Sequence, residues 1–187
     1  MKRLFVAIRV DARDKLLQAY QTIRHNLTGQ PINWVNENNL HLTLKYLGNT
    51  PDEKVAEIDH CLQKVVAHHT TFGFDIKGFG YFGNLRFPRV LWLGIHSGEE
   101  LANTQQFIHE KLAEWGEKED YSVYKPHLTI GRVKHFNKPD TLLALEAEYA
   151  NLLLQHEQVK EIILYESILK PTGPVYNALG KYPLAPV

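Results

Sequence analysis

The chain has 187 residues, 44% of them hydrophobic, with 21 basic and 21 acidic side chains in balance. That is enough apolar material for a sizeable core, and an even charge without a polybasic run excludes a protein that grips long duplex nucleic acid by charge alone. No apolar run approaches the roughly 20 residues that span a bilayer, which excludes a helical membrane anchor.

Binding to a nucleic-acid terminus or a short single strand stays open. The start, Met1-Lys2-Arg3 followed by a short apolar stretch containing Arg9, is too short and too charged for a signal peptide. Cys61 is the sole cysteine, so no internal disulfide forms and a reducing compartment is expected. The expectation is a soluble cytoplasmic protein, monomeric and without an obligate protein partner.

In chain order, alternation predicts a first strand over Arg3 to Val10. A helix follows from Asp11 to Leu27, with Asp11 as N-cap and Leu16, Leu17, Tyr20, Ile23 and Leu27 on one face. Leu40 to Tyr46 reads as a strand. Thr50-Pro51-Asp52-Glu53 supplies an N-cap, a proline at the first helical position and a glutamate for a capping box, ahead of the stripe Val55, Ile58, Leu62 and Val65. Strands are expected over Phe72 to Tyr81 and Arg89 to Ile95, joined by a turn-rich link from Gly78 to Pro88. Ser97-Gly98-Glu99-Glu100 repeats the capping box for a third helix that buries Leu101, Ile108, Leu112 and Trp115 and stops at Gly116. Pro126 to Val133 is a strand, a fourth helix after Pro139 uses Leu142, Leu145 and Tyr149, and strands close the chain over Val159 to Leu169 and Val175 to Leu179. Lys170 to Pro174 is expected to link that last pair.

Two of these strands carry the same four-residue pattern, His41-Leu42-Thr43-Leu44 and His127-Leu128-Thr129-Ile130. Side chains alternate along a strand, so each copy presents an imidazole beside a hydroxyl on one face and buries its aliphatic residues on the other. A single His-x-Thr among ten histidines means little; the duplicated motif, with its matching flanks, is specific. The two histidines stand 86 residues apart (127 − 41), and the same offset lays Arg3 to Ala7 on Arg89 to Leu93, Asp11 on Ser97, Thr50 beside Asn137 and Phe74 to Gly80 on Lys160 to Glu166. The expected fold is therefore α+β and bilobal, a pseudo-twofold duplication spanning 1–187 as one domain. Each lobe is expected to be a mostly antiparallel sheet with helices on its outer face, and the active-site cleft to lie between the lobes.

Paired imidazoles suit acid and base catalysis, because an ordinary pKa of about 6.5 lets one ring be neutral while the other holds a proton. Displacement at phosphorus places the attacking and leaving oxygens on opposite sides, where a twofold cleft sets one imidazole beside each. Thr43 and Thr129 would then donate to the nonbridging oxygens. This scheme needs no cofactor. It needs no metal either, and His60, His68 and His69 lack the cysteine or carboxylate framework of a zinc site.

The duplicated motifs resemble the signature of the two-histidine (2H) phosphoesterase superfamily, and within it the RNA 2′,3′-cyclic phosphodiesterases, also called bacterial 2′-5′ RNA ligases. The match includes Arg3-Leu4-Phe5-Val6-Ala7, Trp34-Val35, Glu37 to Leu44, Leu47-Gly48, Arg89 to Gly94, Pro126 to Arg132, Ser167 to Leu169, Gly173, Tyr176 and Tyr182-Pro183-Leu184. The resemblance implies hydrolysis of a terminal RNA 2′,3′-cyclic phosphate to a 2′-phosphomonoester, with reversible 2′-5′ ligation. It assigns the proton donor to His41 and the acceptor to His127, and its partners are RNA 3′ ends or short oligonucleotides.

Arg132 matches a phosphate-binding arginine of that pattern, yet regular alternation from His127 puts it on the wrong face, so a bulge has to turn it inward. Lys45 has the favourable parity with His41 and is a second candidate cation. Phe5, Trp34, Tyr46 and Tyr81 are candidates for stacking on a nucleobase, with Phe5 and Tyr46 placed among the substrate-binding residues. Tyr176 is expected to be structural. Two rival readings use the same residues: a sibling enzyme for another small cyclic phosphate or 2′-5′ oligonucleotide, and a noncatalytic module that binds RNA ends.

Overall fold

The computed structural model describes residues 1–116, 124–171 and 173–187. Its strands are β1 (Lys2–Arg9), β2 (Ile32–Trp34), β3 (His41–Thr50), β4 (Phe72–Gly83), β5 (Pro88–Ser97), β6 (His127–Val133), β7 (Leu153–Val159), β8 (Glu161–Lys170) and β9 (Gly173–Pro183). The α-helices are α1 (Asp14–Asn26), α2 (Val55–Val66), α3 (Glu99–Lys111) and α4 (Pro139–Tyr149). All the strands join one sheet in the order β7-β4-β5-β6-β3-β1-β8-β9, with β2 added beside β6, and every ladder between them is antiparallel. None of the described helices is long and apolar enough to cross a membrane.

The pseudo-twofold relates β3-β1-β8-β9 to β6-β5-β4-β7, so the two lobes are not the two halves of the sequence. Each lobe takes its third strand from the other half: β4 follows β3 in the chain but pairs with β5, and β8 returns to pair with β1. Helices cross over in the same way, α1 packing on β7 and α3 on β3. The motif strands keep the offset of 86, but their partners run at 85: Val6 faces Lys45 as Leu91 faces Gly131 (91 − 6), and α1 and α3 begin at 14 and 99.

Alternation builds the core. On β1 the even positions Leu4, Val6 and Ile8, and Val10 just after it, enter the main apolar cluster with Leu42, Leu44, Leu128 and Ile130 of the motif strands. Fully burying an aliphatic side chain contributes on the order of 1.5–3 kcal/mol, so the motif leucines and isoleucine fix which face of each strand is left for the histidines.

Local expectations differ at the helix caps, at the end of the third helix and in the strands. Asp11 does not cap α1; its carboxylate accepts from Arg9 (2.7 Å), and the helix entry is held from across the sheet, where the Arg13 amide donates to Gln155 Oε1 (3.0 Å). Neither expected capping box forms: the Thr50 hydroxyl donates to the Gly48 carbonyl and a short 3₁₀ turn precedes α2, while Gly98 stands at the N-cap of α3. The third helix ends at Lys111, before Gly116. The strand expected over Val159 to Leu169 is β8; β7 lies ahead of it and was not expected, and β2 comes from residues too few to show a period.

The link expected over 78–88 shrinks to a turn after Gly83, where Asn84 Oδ1 accepts from the amides of Arg86 and Phe87. The link between β8 and β9 includes residue 172, which lies outside the described residues.

Candidate active site

Strands β3 and β6 meet at one register pair, Leu42 opposite Leu128. His41 and Thr43 flank that pair on one strand, His127 and Thr129 on the other, and all four side chains are partly exposed while the leucines between them are buried. The local twofold passes through this leucine pair. Where the ladder parts beyond it, the Tyr124 hydroxyl donates to the Thr43 carbonyl (3.1 Å), and burial pushes its pKa well up.

Each imidazole is oriented the same way. His41 Nδ1 lies 2.7 Å from the Asn39 carbonyl and His127 Nδ1 lies 2.7 Å from the Lys125 carbonyl, in both cases two residues back along the chain. A carbonyl oxygen only accepts, so Nδ1 carries the hydrogen and Nε2 is left as the working nitrogen of both rings. Burial holds both pKa values below the ordinary 6.5; the carbonyl bonds oppose this, and the Arg132 charge adds to the lowering at both rings. His41 also feels the charge of His127, which puts the two rings within electrostatic reach of each other.

A bulge decides which cations reach this face. On β6 the register steps from Thr129 opposite Trp92 to Gly131 opposite Leu91, one extra residue, so the exposed Arg132 returns to the face of His127 and Thr129. Strand β3 has the matching bulge, Thr43 opposite Ala7 and then Lys45 opposite Val6. Here its effect is opposite to the expectation for Lys45. The favourable parity is reversed, and Lys45 is buried on the helix side, where Nζ donates to His109 Nδ1 of α3 (3.2 Å). Tyr46 takes the place equivalent to Arg132 and accepts a 2.6 Å hydrogen bond from Arg3 Nε.

Of the candidate aromatics, Phe5 is buried beneath His41, with ring centroids 5.0 Å apart, and is covered by Tyr165 and Tyr176, so it has no open face for a base. Trp34 packs edge-on to Tyr20, and Tyr81 packs against the core. Tyr176, expected to be structural, stands edge-on to His41 at 5.2 Å. Arg9, Asn38, Asn39, Leu40, His41, Tyr165 and Tyr176 line an open pocket beside it. The loop leading into His41 is pinned, because Asn36 Oδ1 accepts from the Asn38 amide and Asn39 Nδ2 donates to the Pro174 carbonyl. On the other side Phe82 meets His127 edge-on at 4.8 Å and Trp92 at 5.5 Å; Trp92 lies over Gly80, where a Cβ would collide with the indole.

Sequence reasoning missed Phe82 because β4 was ended at Tyr81, one residue short. It missed Arg9, Asn38 and Tyr165 because nothing in their local pattern marks them. Parity does put Arg9 on the face of Phe5, and it pairs with His41 across the ladder.

The model of the 2′-5′ RNA ligase superfamily matches residues 6–167. The chain belongs to this superfamily, the two-histidine phosphoesterases. It is 34% identical over 178 residues to the RNA 2′,3′-cyclic phosphodiesterase of Thermotoga maritima, covering 95% of this chain and 92% of that one. The Archaeoglobus fulgidus protein of the same name is 35% identical, with 95% and 97% covered. Among solved structures, TT0787 of Thermus thermophilus superposes with a TM-score of 0.79 at 25% identity over 98% of each chain. E. coli LigT complexed with 3′-AMP shares the fold, with a TM-score of 0.72 at 21% identity over 98% of each chain. In this superfamily member the sheet, its duplicated bulge and the paired imidazoles form one arrangement.

Proposed function

We propose that this protein, acting as one domain over 1–187, hydrolyses the terminal 2′,3′-cyclic phosphate of RNA to a 2′-phosphomonoester by paired imidazole catalysis. His127 takes a proton from water as its oxygen bonds to phosphorus; the bond from phosphorus to the 3′-oxygen breaks, and His41 protonates that oxygen, leaving a 3′-hydroxyl. Thr43 and Thr129 donate to the nonbridging oxygens, and Arg132 stabilises the charge gathering on them. The observation that carries the reading is the shared orientation of the two rings, Nδ1 tied back to a carbonyl and Nε2 without a hydrogen-bond partner among the described residues, on both sides of one leucine pair. The relatives named RNA 2′,3′-cyclic phosphodiesterase support the substrate class.

The surroundings support the division of labour. His41 is the more enclosed ring and adjoins the pocket lined by Asn38, Tyr165 and Tyr176, which suits a nucleoside and so a ribose leaving oxygen. A base stacked on Tyr176 would contribute roughly 1–3 kcal/mol. Tyr46 acts through Arg3 rather than on the base. An RNA 5′-hydroxyl attacking phosphorus in place of water, with the bond to the 3′-oxygen breaking, gives a 2′-5′ linkage, which is the ligation, and the same path run backwards cleaves it.

A short RNA ending in a 2′,3′-cyclic phosphate, incubated with the protein in excess chelator, should yield the 2′-phosphate isomer alone. A 3′-phosphate product, or RNA bound without turnover, would overturn the reading, the latter in favour of an end-binding module.

A further inference from the structure

The duplicated bulge presents Arg132 directly on one lobe and only Tyr46 at the equivalent place on the other, 86 residues earlier (132 − 46). The neighbouring strand β1 brings Arg3 to Tyr46. Strand β1 is regular, so Arg3 shares the face of Phe5 and Ala7, while Leu4, Val6 and Ile8 enter the core. Its Nε donates to the Tyr46 hydroxyl at 2.6 Å and its guanidinium carbon lies 5.4 Å from the centre of the Tyr46 ring. One edge of the fork is thereby fixed, and the side chain stays exposed. Burial raises the pKa of the Tyr176 hydroxyl, and the charges of Arg132 and Arg3 both lower it. Tyr176 in turn stands against His41.

We infer that Arg3, held by Tyr46, is a second phosphate-binding residue that takes the internal phosphodiester on the 5′ side of the terminal nucleotide. The inference rests on the reading of Arg132 as the anchor of the reacting phosphate. A substrate with two adjacent phosphates needs two cations a nucleotide apart, and a single cyclic nucleotide uses only one of them. A guanidinium whose Nε already holds a tyrosine oxygen keeps its terminal nitrogens for a phosphate and loses less freedom on binding it. The enzyme therefore favours RNA ends over free cyclic nucleotides.

Binding of stable products tests this without relying on turnover. A dinucleotide ending in a 2′-phosphate and a nucleoside 2′-phosphate are titrated into wild type, Arg3→Gln and Tyr46→Phe. The wild type should prefer the dinucleotide at least tenfold; Arg3→Gln should remove most of that preference and lower the salt slope by about 0.7, as expected for one phosphate contact on a single strand. Tyr46→Phe, which keeps the ring and loses the hydroxyl, should cost about threefold. Equal wild-type affinities, or an Arg3→Gln loss of the same size on both ligands, would overturn the inference. Failure of the wild type to hydrolyse cyclic-phosphate RNA would instead remove the catalytic reading, while leaving the two affinities to decide on Arg3.

Discussion

On the His41 side the imidazole lies against Phe5 and Tyr176 with Tyr165 behind them, whereas on the His127 side, among the described residues, Phe82 alone meets the ring. The backbone beneath is the same in both lobes: a strand starting at the histidine, an Nδ1 bond to the carbonyl two residues back, and a bulge two residues on. A duplicated scaffold thus delivers two equivalent groups, and the walls make them inequivalent. On the proposed mechanism the ring set against Phe5 and Tyr176 delivers the proton to the leaving ribose oxygen, and His127 activates the attacking water.

The largest effect should come from removing either ring. His41→Ala and His127→Ala should each lower kcat by about 10²- to 10⁴-fold on cyclic-phosphate RNA, and the double variant should fall little further, because the two act as a unit. A large difference between the single variants would sharpen the contrast between the walls; two additive losses would break the pairing.

Arg132→Gln comes next. Losing a charge-assisted contact of roughly 1.5–3 kcal/mol should lower kcat/KM by about 10- to 100-fold. Its charge lowers both imidazole pKa values, so its removal raises them and should move the whole pH profile to the alkaline side. A loss of rate with an unmoved profile would place the guanidinium's effect on the phosphate alone.

The smallest effect belongs to Lys45→Met. Lys45 is buried toward α3 beside His109, so kcat/KM should stay within about threefold, and an apolar replacement for a buried charge is often neutral for stability. A tenfold loss would contradict the parity reversal that separates it from Arg132.

The periods of all strands but β2 and β7, the helix stripes and the duplicated motif were legible in the sequence, because each repeats at a spacing that fold geometry imposes. The exchange of β4 and β8 between lobes was not, since pairing partners leave no trace in local pattern. The bulges show where legibility divides. Arg132 demanded one because its residue type conflicted with its parity, whereas the bulge that hides Lys45 raised no conflict, its parity already looking favourable. The α1 cap failed for a tertiary reason as well, with Gln155 on β7 reaching across to the start of that helix.

The pH dependence of kcat/KM for cyclic-phosphate RNA in wild type, His41→Ala and His127→Ala tests the pairing most directly. Both imidazoles lie below their ordinary 6.5, so the wild type should give a bell with its maximum on the acid side of that value. His127→Ala should lose the rising limb, where the base sheds its proton, and His41→Ala the falling limb, where the acid does. A bell that survives unchanged in either variant would contradict the account.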